Sequence, residues 1–312
     1  MIDELPTKAL SQPLHRCLGC GGSCRGVRIR LLDGEADRIR TLAPELGIAD
    51  PIEGGVLRTE AGACVFLDGT DRCRLHERFG PQSKPLICQQ YPFVSTRADA
   101  EIRVGVDPGC YTSWRTWRDG PALSASRAVT TSAALDPSQG QAERALLALA
   151  RSSQATVPSL LSALCPGQPG ADGLPAGLGG RIAGRLRAMD LDELLGRPES
   201  GASLRGALTP VVGRIQALDP DLPPDLPAVP EINAFSVDIL RRMIFLRLQP
   251  QLPVPAVALL TLIGSVACAW TSTELPVFGP ALAAWTRGLR APPFWRALIP
   301  DEAALHHLAT GG

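Results

Sequence analysis

The sequence predicts an α+β chain in two parts: a small cysteine-rich unit of short strands over residues 1–120, then an all-α unit over residues 121–312. Three observations carry that reading. Seven of the nine cysteines fall between Cys17 and Cys110. The same stretch breaks into short apolar–polar alternations separated by turn residues, the pattern of half-buried strands. Beyond it, apolar residues recur at helical spacing between proline-rich loops. A length of 312 residues suits two domains, and a 45% hydrophobic content rules out a wholly disordered chain.

Taken in order, residues 27–31 alternate apolar and charged and end at the turn Asp33-Gly34. Residues 64–67 and 72–75 flank Asp68-Gly69 as a hairpin. Residues 91–96 and 101–106 form a further hairpin across 97–100. This half shows little helical pattern and few large apolar residues, so it needs a staple, and a metal would supply one. Residues 119–141, rich in Ala, Ser, Thr and Gly, read as a linker. Helical spacing then marks residues 141–151, 158–164, 181–195, 232–248, 257–270 and 281–289. Residues 167–180 and 219–230 read as loops, with Gly177-Leu178-Gly179-Gly180 a flexible stretch inside the first. Residues 252–270 carry no charge, yet Pro253 and Pro255 break the start of the run and no basic cluster flanks it. That predicts a buried core helix and no membrane span.

The balance of charges bounds the partners. With 31 basic and 31 acidic residues the net charge is zero, which removes the electrostatic case for nucleic acid. The start, MIDELPTKAL, lacks an apolar export signal, so a cytoplasmic, reducing location is expected. Disulfides are not expected there. Clustered thiols in such a compartment read as metal ligands.

Four elements make up the cluster. The first is Cys17-Leu18-Gly19-Cys20-Gly21-Gly22-Ser23-Cys24, a C-x2-C knuckle followed by a third thiol, with glycines supplying the positive φ such a turn needs. Cys64 and Cys73 follow, brought together if the Asp68-Gly69 turn forms. Cys88 lies in Lys84-Pro85-Leu86-Ile87-Cys88-Gln89-Gln90-Tyr91-Pro92-Phe93, and Cys110 follows Asp107-Pro108-Gly109. His15 and His76 lie nearby; His76, three residues from Cys73, is the better candidate eighth ligand. Lys84 stands out because the chain uses 29 Arg and only two Lys, the other being Lys8. An ammonium is a compact donor that can touch a thiolate or a cofactor from one point where a guanidinium does not fit, so Lys84 is a candidate cofactor-binding residue. Tyr91, Phe93 and Phe66 read as a small core around the metal, Trp114 and Trp117 as one packed face, and His306-His307 as a solvated helix end. Cys165 and Cys268, in apolar helical surroundings, read as inert core thiols.

The opening C-x2-C, the run CVFLDGTDRCRLHERFGPQSKPLICQQYPF and the late Cys110 resemble the CxxCxxCC, or YkgJ-type, family, over about residues 15–112. That family is described as zinc- or iron-chelating and includes the flagellin lysine-N-methylase. In one respect the chain departs from it: Ser23 precedes a single Cys24 where the family often has a Cys-Cys pair.

The donor set leaves two metals open. One [4Fe–4S] cluster would use four thiolates and leave three cysteines over. Two tetrahedral zinc sites would use all seven with His76. Only one C-x2-C knuckle is present, which argues against zinc, and no common ferredoxin spacing is present, which argues against iron–sulfur. The order C-x2-C-x3-C is the reverse of the radical S-adenosylmethionine spacing, and no dinucleotide fingerprint follows a strand. Three functions follow as expectations. They are a metal-centre protein for binding or electron transfer, a redox or metal sensor, and an S-adenosylmethionine-dependent methyltransferase acting on lysine of a protein substrate. The last is implied by the resemblance alone, and no catalytic residue can be named for it.

Overall fold

A computed structural model describes residues 6–10, 15, 17–25, 29–120, 129–131, 134–165, 174–189, 208–209, 211–214, 216–217, 228–290 and 292–310. The chain is α+β, with strands confined to its first part and helices dominating its second. After strand β1 (Thr7–Ala9) comes a lobe of short elements: α1 (Glu35–Leu42), β2 (Ile52–Glu53), β3 (Val56–Leu57), β4 (Thr59–Glu60), β5 (Ala63–Cys64), α2 (Arg74–Phe79) and α3 (Leu86–Gln90). Its core is small: Ile39, Ala43, Ile48, Leu57, Phe66 and Leu75. Strands β2 and β3 pair across Gly54-Gly55, both at positive φ, as a two-residue hairpin turn requires. The expected strand at 27–31 survives as pairing without a full ladder. Arg30 bridges Val56, and the Leu57 amide donates to the Ile29 carbonyl at 2.9 Å. Val27 and Arg28 lie outside the described residues.

A four-stranded sheet follows, ordered β1-β7-β6-β8, from β6 (Phe93–Ala98), β7 (Glu101–Val106) and β8 (Val129–Thr131). The expected third hairpin is present with a tighter turn. Ala98 pairs with Glu101, and Asp99, at φ 54°, takes the left-handed position. Strands β1 and β8 add in parallel at the two edges. Lys8 lies in β1 and pairs with Glu101 at 2.6 Å. Residues 129–131 and the helix start at Pro137 correct the reading of 119–141 as a linker throughout; 121–128 and 132–133 lie outside the described residues.

The helices are α4 (Pro137–Arg151), α5 (Val157–Leu164), α6 (Leu178–Arg187), α7 (Pro230–Phe245), α8 (Val254–Thr271), α9 (Leu275–Gly288), α10 (Pro292–Leu298) and α11 (Glu302–Thr310). The six expected helices are present, several starting earlier than expected because Pro fits the first helical turn. Gly177 caps α6, so Leu178–Gly180 are helical and not a flexible stretch. Residues 167–173 and 219–227 of the expected loops, and 190–195 of an expected helix, lie outside the described residues. Helix α10 has no counterpart in the sequence pattern; α11 carries His306 and His307 exposed, as expected of a solvated helix, though within its length and not at its end.

Helix α8 is the axis of the larger core. It is long and apolar enough to cross a bilayer, but 89% of its apolar window is buried inside the fold, as expected of a core helix. Trp285 from α9 lies flat against Gly264 of α8, where an added Cβ would come 2.2 Å from the indole. Its Nε1 donates to the Leu260 carbonyl at 2.9 Å. Leu10, Val94, Tyr111, Trp114 and Trp117 pack on the same helical core, so the sheet and the helices share one interior. Trp117 meets Phe235 edge-on, and Trp114 covers Gly279. A buried ion network ties sheet to helices. Glu143 of α4 accepts from Arg103 of β7 and from Arg247 at 2.8 Å each, and Arg247 also grips Asp99 at the hairpin turn.

Candidate metal centre

Each cysteine-bearing segment is placed by local chemistry. In the knuckle, Gly19 and Gly21 sit at φ 66° and 63°, as the spacing predicts. Gly22–Cys24 form a single 3-10 turn, closed by the Cys24 amide donating to the Gly21 carbonyl at 2.7 Å. A Cβ on Gly21 would fall 1.6 Å from the Asp71 carbonyl oxygen, so only glycine lets the knuckle seat against the 64–73 segment. Arg25 locks that seating by bridging Ala63 through the backbone and Asp71 through its guanidinium. Cys24 and Cys64, the chain neighbours of the bridged pair, are thereby set side by side.

The Asp68-Gly69 turn forms, but the expected hairpin does not extend. Asp68 Oδ1 accepts the Thr70 and Arg72 amides at 2.8 and 2.9 Å, and Leu67 bridges Cys73. The chain then turns helical as α2, because Leu75 and Phe79 stand four apart and both pack on the lobe's core. The ladder that residue 64 does join is β5 against β4, with Cys64 opposite Thr59.

Lys84 and Cys88 are set by the start of α3. Glu35 of α1 accepts the Leu86 amide at 2.6 Å, while Arg38 and Gln89 donate to the Lys84 carbonyl at 3.0 and 2.6 Å. Lys84 is only 6% exposed. Among the described residues no carboxylate forms an ion pair with it.

Cys110 ends a turn in which the Gly109 amide donates to Asp107 Oδ1 at 2.7 Å and the Cys110 amide to the Asp107 carbonyl at 3.1 Å. Arg290, beyond α9, clamps the Asp107 carboxylate with both arms, and burial of the carboxyl is outweighed, so it stays below its ordinary pKa. Arg287 of α9 packs against Gly109, stacks on Tyr111 and reaches the Gly22 carbonyl at 3.5 Å. His15, fully buried, places Nε2 3.7 Å from Cys110 Sγ and Nδ1 2.7 Å from the Thr116 hydroxyl.

These segments enclose one cavity of about 300 Å³, lined by Cys17, Cys20, Cys24, Cys64, Cys73, Cys88 and Cys110, together with Lys84. Phe66, Tyr91 and Phe93 form part of its apolar wall, as expected. Cys165 and Cys268 lie apart, fully buried in the helical core. His76, the expected eighth ligand, is not on the cavity wall. It sits on α2 with Nδ1 buried and unpartnered among the described residues, and burial followed by the Lys84 charge lowers its pKa. His15 is the histidine placed against a cavity thiol. Its position two residues before the knuckle was a visible signal, outweighed in sequence by the nearness of His76 to Cys73. Asp107, Arg287 and Arg290 left no signal, because only the fold brings residues 107–110 to the end of α9.

The electrostatics are those of crowded, dry thiols. Burial, then neighbouring Cys73, Cys64 and Cys17, pushes the Cys24 thiol up to about 12 against the pull of Lys84. Burial raises Cys64 to about 11 in spite of a hydrogen bond from the Phe66 amide. Cys88 is raised by burial and then by Cys24 and Cys64. Cys110 reaches about 11, with the Thr112 hydroxyl and amide opposing burial and Cys20 adding to it. Cys73 acts on Cys24, Cys64 and Cys88, and Cys64 on Cys24 and Cys88, which groups these four, while Cys20 acts on Cys110 on the side of His15. Thiols in this state bind a metal by giving up their protons, so the donor set suits a soft, thiolate-preferring centre. Among the described residues no three His, Cys, Asp or Glu side chains converge as a ready-made site for a metal ion.

Comparison with known proteins agrees with this chemistry. Residues 16–110 match the family model CxxCxxCC, described as "Putative zinc- or iron-chelating domain". No curated protein and no solved structure matches the chain. The stretch that matches, residues 16–110, takes in the cysteine-lined lobe and the sheet hairpin that closes it, and is similar to the zinc- or iron-chelating domain of the CxxCxxCC family.

Proposed function

We propose that the chain is an iron–sulfur protein whose cavity holds a [4Fe–4S] cluster for a redox or sensing role. The observation that carries this reading is the spread of seven thiols around one cavity of about 300 Å³, with no three among the described residues gathered for a single ion. A tetrahedral zinc with Zn–S bonds of about 2.3 Å would hold its sulfurs within about 4 Å of one another. A four-iron cluster binds each thiolate at a different corner and so fits donors that ring a larger space. Cys73 and the three thiols it acts on, Cys24, Cys64 and Cys88, are the proposed cluster ligands. Cys17, Cys20 and Cys110 complete the wall. Cys20 and Ile87 are exposed at the cavity's rim, which brings the centre within reach of a redox partner or a small oxidant. Lysine methylation, implied by the resemblance, would need an S-adenosylmethionine site as well, and no observation among the described residues favours it.

Anaerobic purification with absorption spectroscopy and iron, sulfide and zinc analysis on one sample tests the reading. Brown protein with iron and acid-labile sulfide in equal amounts is expected. Colourless protein carrying zinc without iron would overturn it and make the cysteines a structural staple.

A further inference from the structure

We propose that Lys84 is the counter-charge of the metal centre, a positioning residue whose buried ammonium stabilises the more negative state of whatever group the surrounding thiolates hold. The inference rests on the reading of the cavity as the metal centre and assigns this one side chain a task within it.

Four observations converge. Lys84 lines the same cavity as the seven thiols and is 6% exposed. Its backbone is fixed on two sides by Arg38 and Gln89, so the side chain enters the cavity from an anchored point. Its charge acts on Cys24 and Cys88, two of the proposed ligands, and on His76 of α2, lowering the pKa of each against burial or with it. Finally, no carboxylate pairs with it among the described residues, and the neighbouring cation, Arg38, is committed to Glu35.

A buried charge without a partner is costly, so an ammonium persists in such a place only where anions answer it. Among the described residues, the groups on the cavity wall that can answer it are the thiolates and whatever they bind. A cluster held by four thiolates is a net anion, and one-electron reduction adds a further negative charge, so a nearby cation favours the reduced state. Zinc held by four thiolates is likewise a net anion that a cation stabilises.

The test uses the full chain purified anaerobically as wild type, Lys84→Met, Lys84→Gln and Lys84→Arg, with circular dichroism to verify the fold and a spectroscopic redox titration to read the midpoint. Met and Gln should shift the reduced-to-oxidised ratio at fixed potential at least tenfold toward oxidised, about 59 mV for a one-electron couple, while Arg, which keeps the charge on a bulkier head, shifts it less than either. A neutral variant with an intact cluster and an unshifted midpoint overturns the proposal, as does an Arg variant displaced as far as Met. If the neutral variants fold without loading a cluster, loading of the Arg variant supports the counter-charge, and failure of all three overturns it in favour of packing. Should the wild type carry zinc, the iron–sulfur reading falls by itself. Competition with a chromogenic chelator then decides on Lys84: roughly tenfold weaker zinc retention in Met and Gln than in Arg and wild type is expected, and equal retention overturns it.

Discussion

A thiol in this protein can be buried for two reasons, and the neighbours tell them apart. Cys268 is raised by burial alone, and Cys165, at about 11, by burial against the pull of Arg181. Neither has another thiol acting on it; they fill space as small hydrophobes. Cys24 and Cys88 are raised by burial and then by other cavity thiols, Cys73 and Cys64 acting on both, as befits donors awaiting a shared cation. Serine at Cys17, Cys20, Cys24, Cys64, Cys73, Cys88 or Cys110 should therefore lower the metal bound per chain, most steeply at Cys24, Cys64, Cys73 and Cys88. Cys165→Ser and Cys268→Ser should leave it within about a tenth of wild type while costing about 1–2 kcal/mol for a hydroxyl in an apolar core. Elemental analysis on the matched set reads this directly, and equal metal loss from all nine changes would refute the division. This split was legible from residue type and clustering alone. That His15 lies against a cavity thiol while His76 stands off the wall was not, because closeness in sequence to Cys73 says nothing about which way α2 turns its side chains.

Elements were legible where their signal was local. The β6–β7 hairpin and the long apolar helices follow from periodicity and turn chemistry, and both stand in the fold. The strand expected after Asp68-Gly69 gave way to α2 because the i,i+4 pair Leu75 and Phe79 outweighs three alternating residues. The parallel edges β1 and β8 left no trace, since their partners are supplied by distant β7 and β6. The element of greatest functional weight is the end of α9. Its Arg287 and the following Arg290 hold the Cys110 turn and the Gly22 carbonyl, so a helical element sets the position of a cavity thiol. Arg290→Ala leaves the Asp107 carboxylate buried without its cation. The expected cost is about 2–3 kcal/mol, below that of a fully buried pair because Arg290 keeps 31% side-chain exposure, together with a loss of metal per chain. Adding Asp107→Asn to Arg290→Ala should recover part of the stability, since the stranded charge is then gone. Urea denaturation of the two variants checks this. A single variant as stable as wild type would show that the clamp contributes nothing.

At the scale of the molecule, the chain has two interiors of very different size, with the cavity against the smaller. The lobe's core has only six buried apolar residues, whereas the helical core takes in the sheet and spans α4 to α11. Apolar burial stabilises at roughly 25 cal/mol per Å², and a core of six side chains cannot offset the conformational entropy of some sixty lobe residues. The seven-thiol centre stands where that deficit lies, as in small domains that fold around their metal. Removing the metal should therefore melt the lobe and spare the helices. After chelation, amide exchange in residues 29–90 should rise toward unprotected rates, while α7 and α8 keep their protection and α9 loses some at its Arg287 end. The signal from β6 and β7 should lie between these limits, because one face packs on helices and the other closes the cavity. Uniform loss of protection along the chain would mean that the two interiors fold as one unit. Unchanged protection in residues 29–90 would mean that the lobe stands without its metal, leaving the cysteines free for chemistry with no structural task.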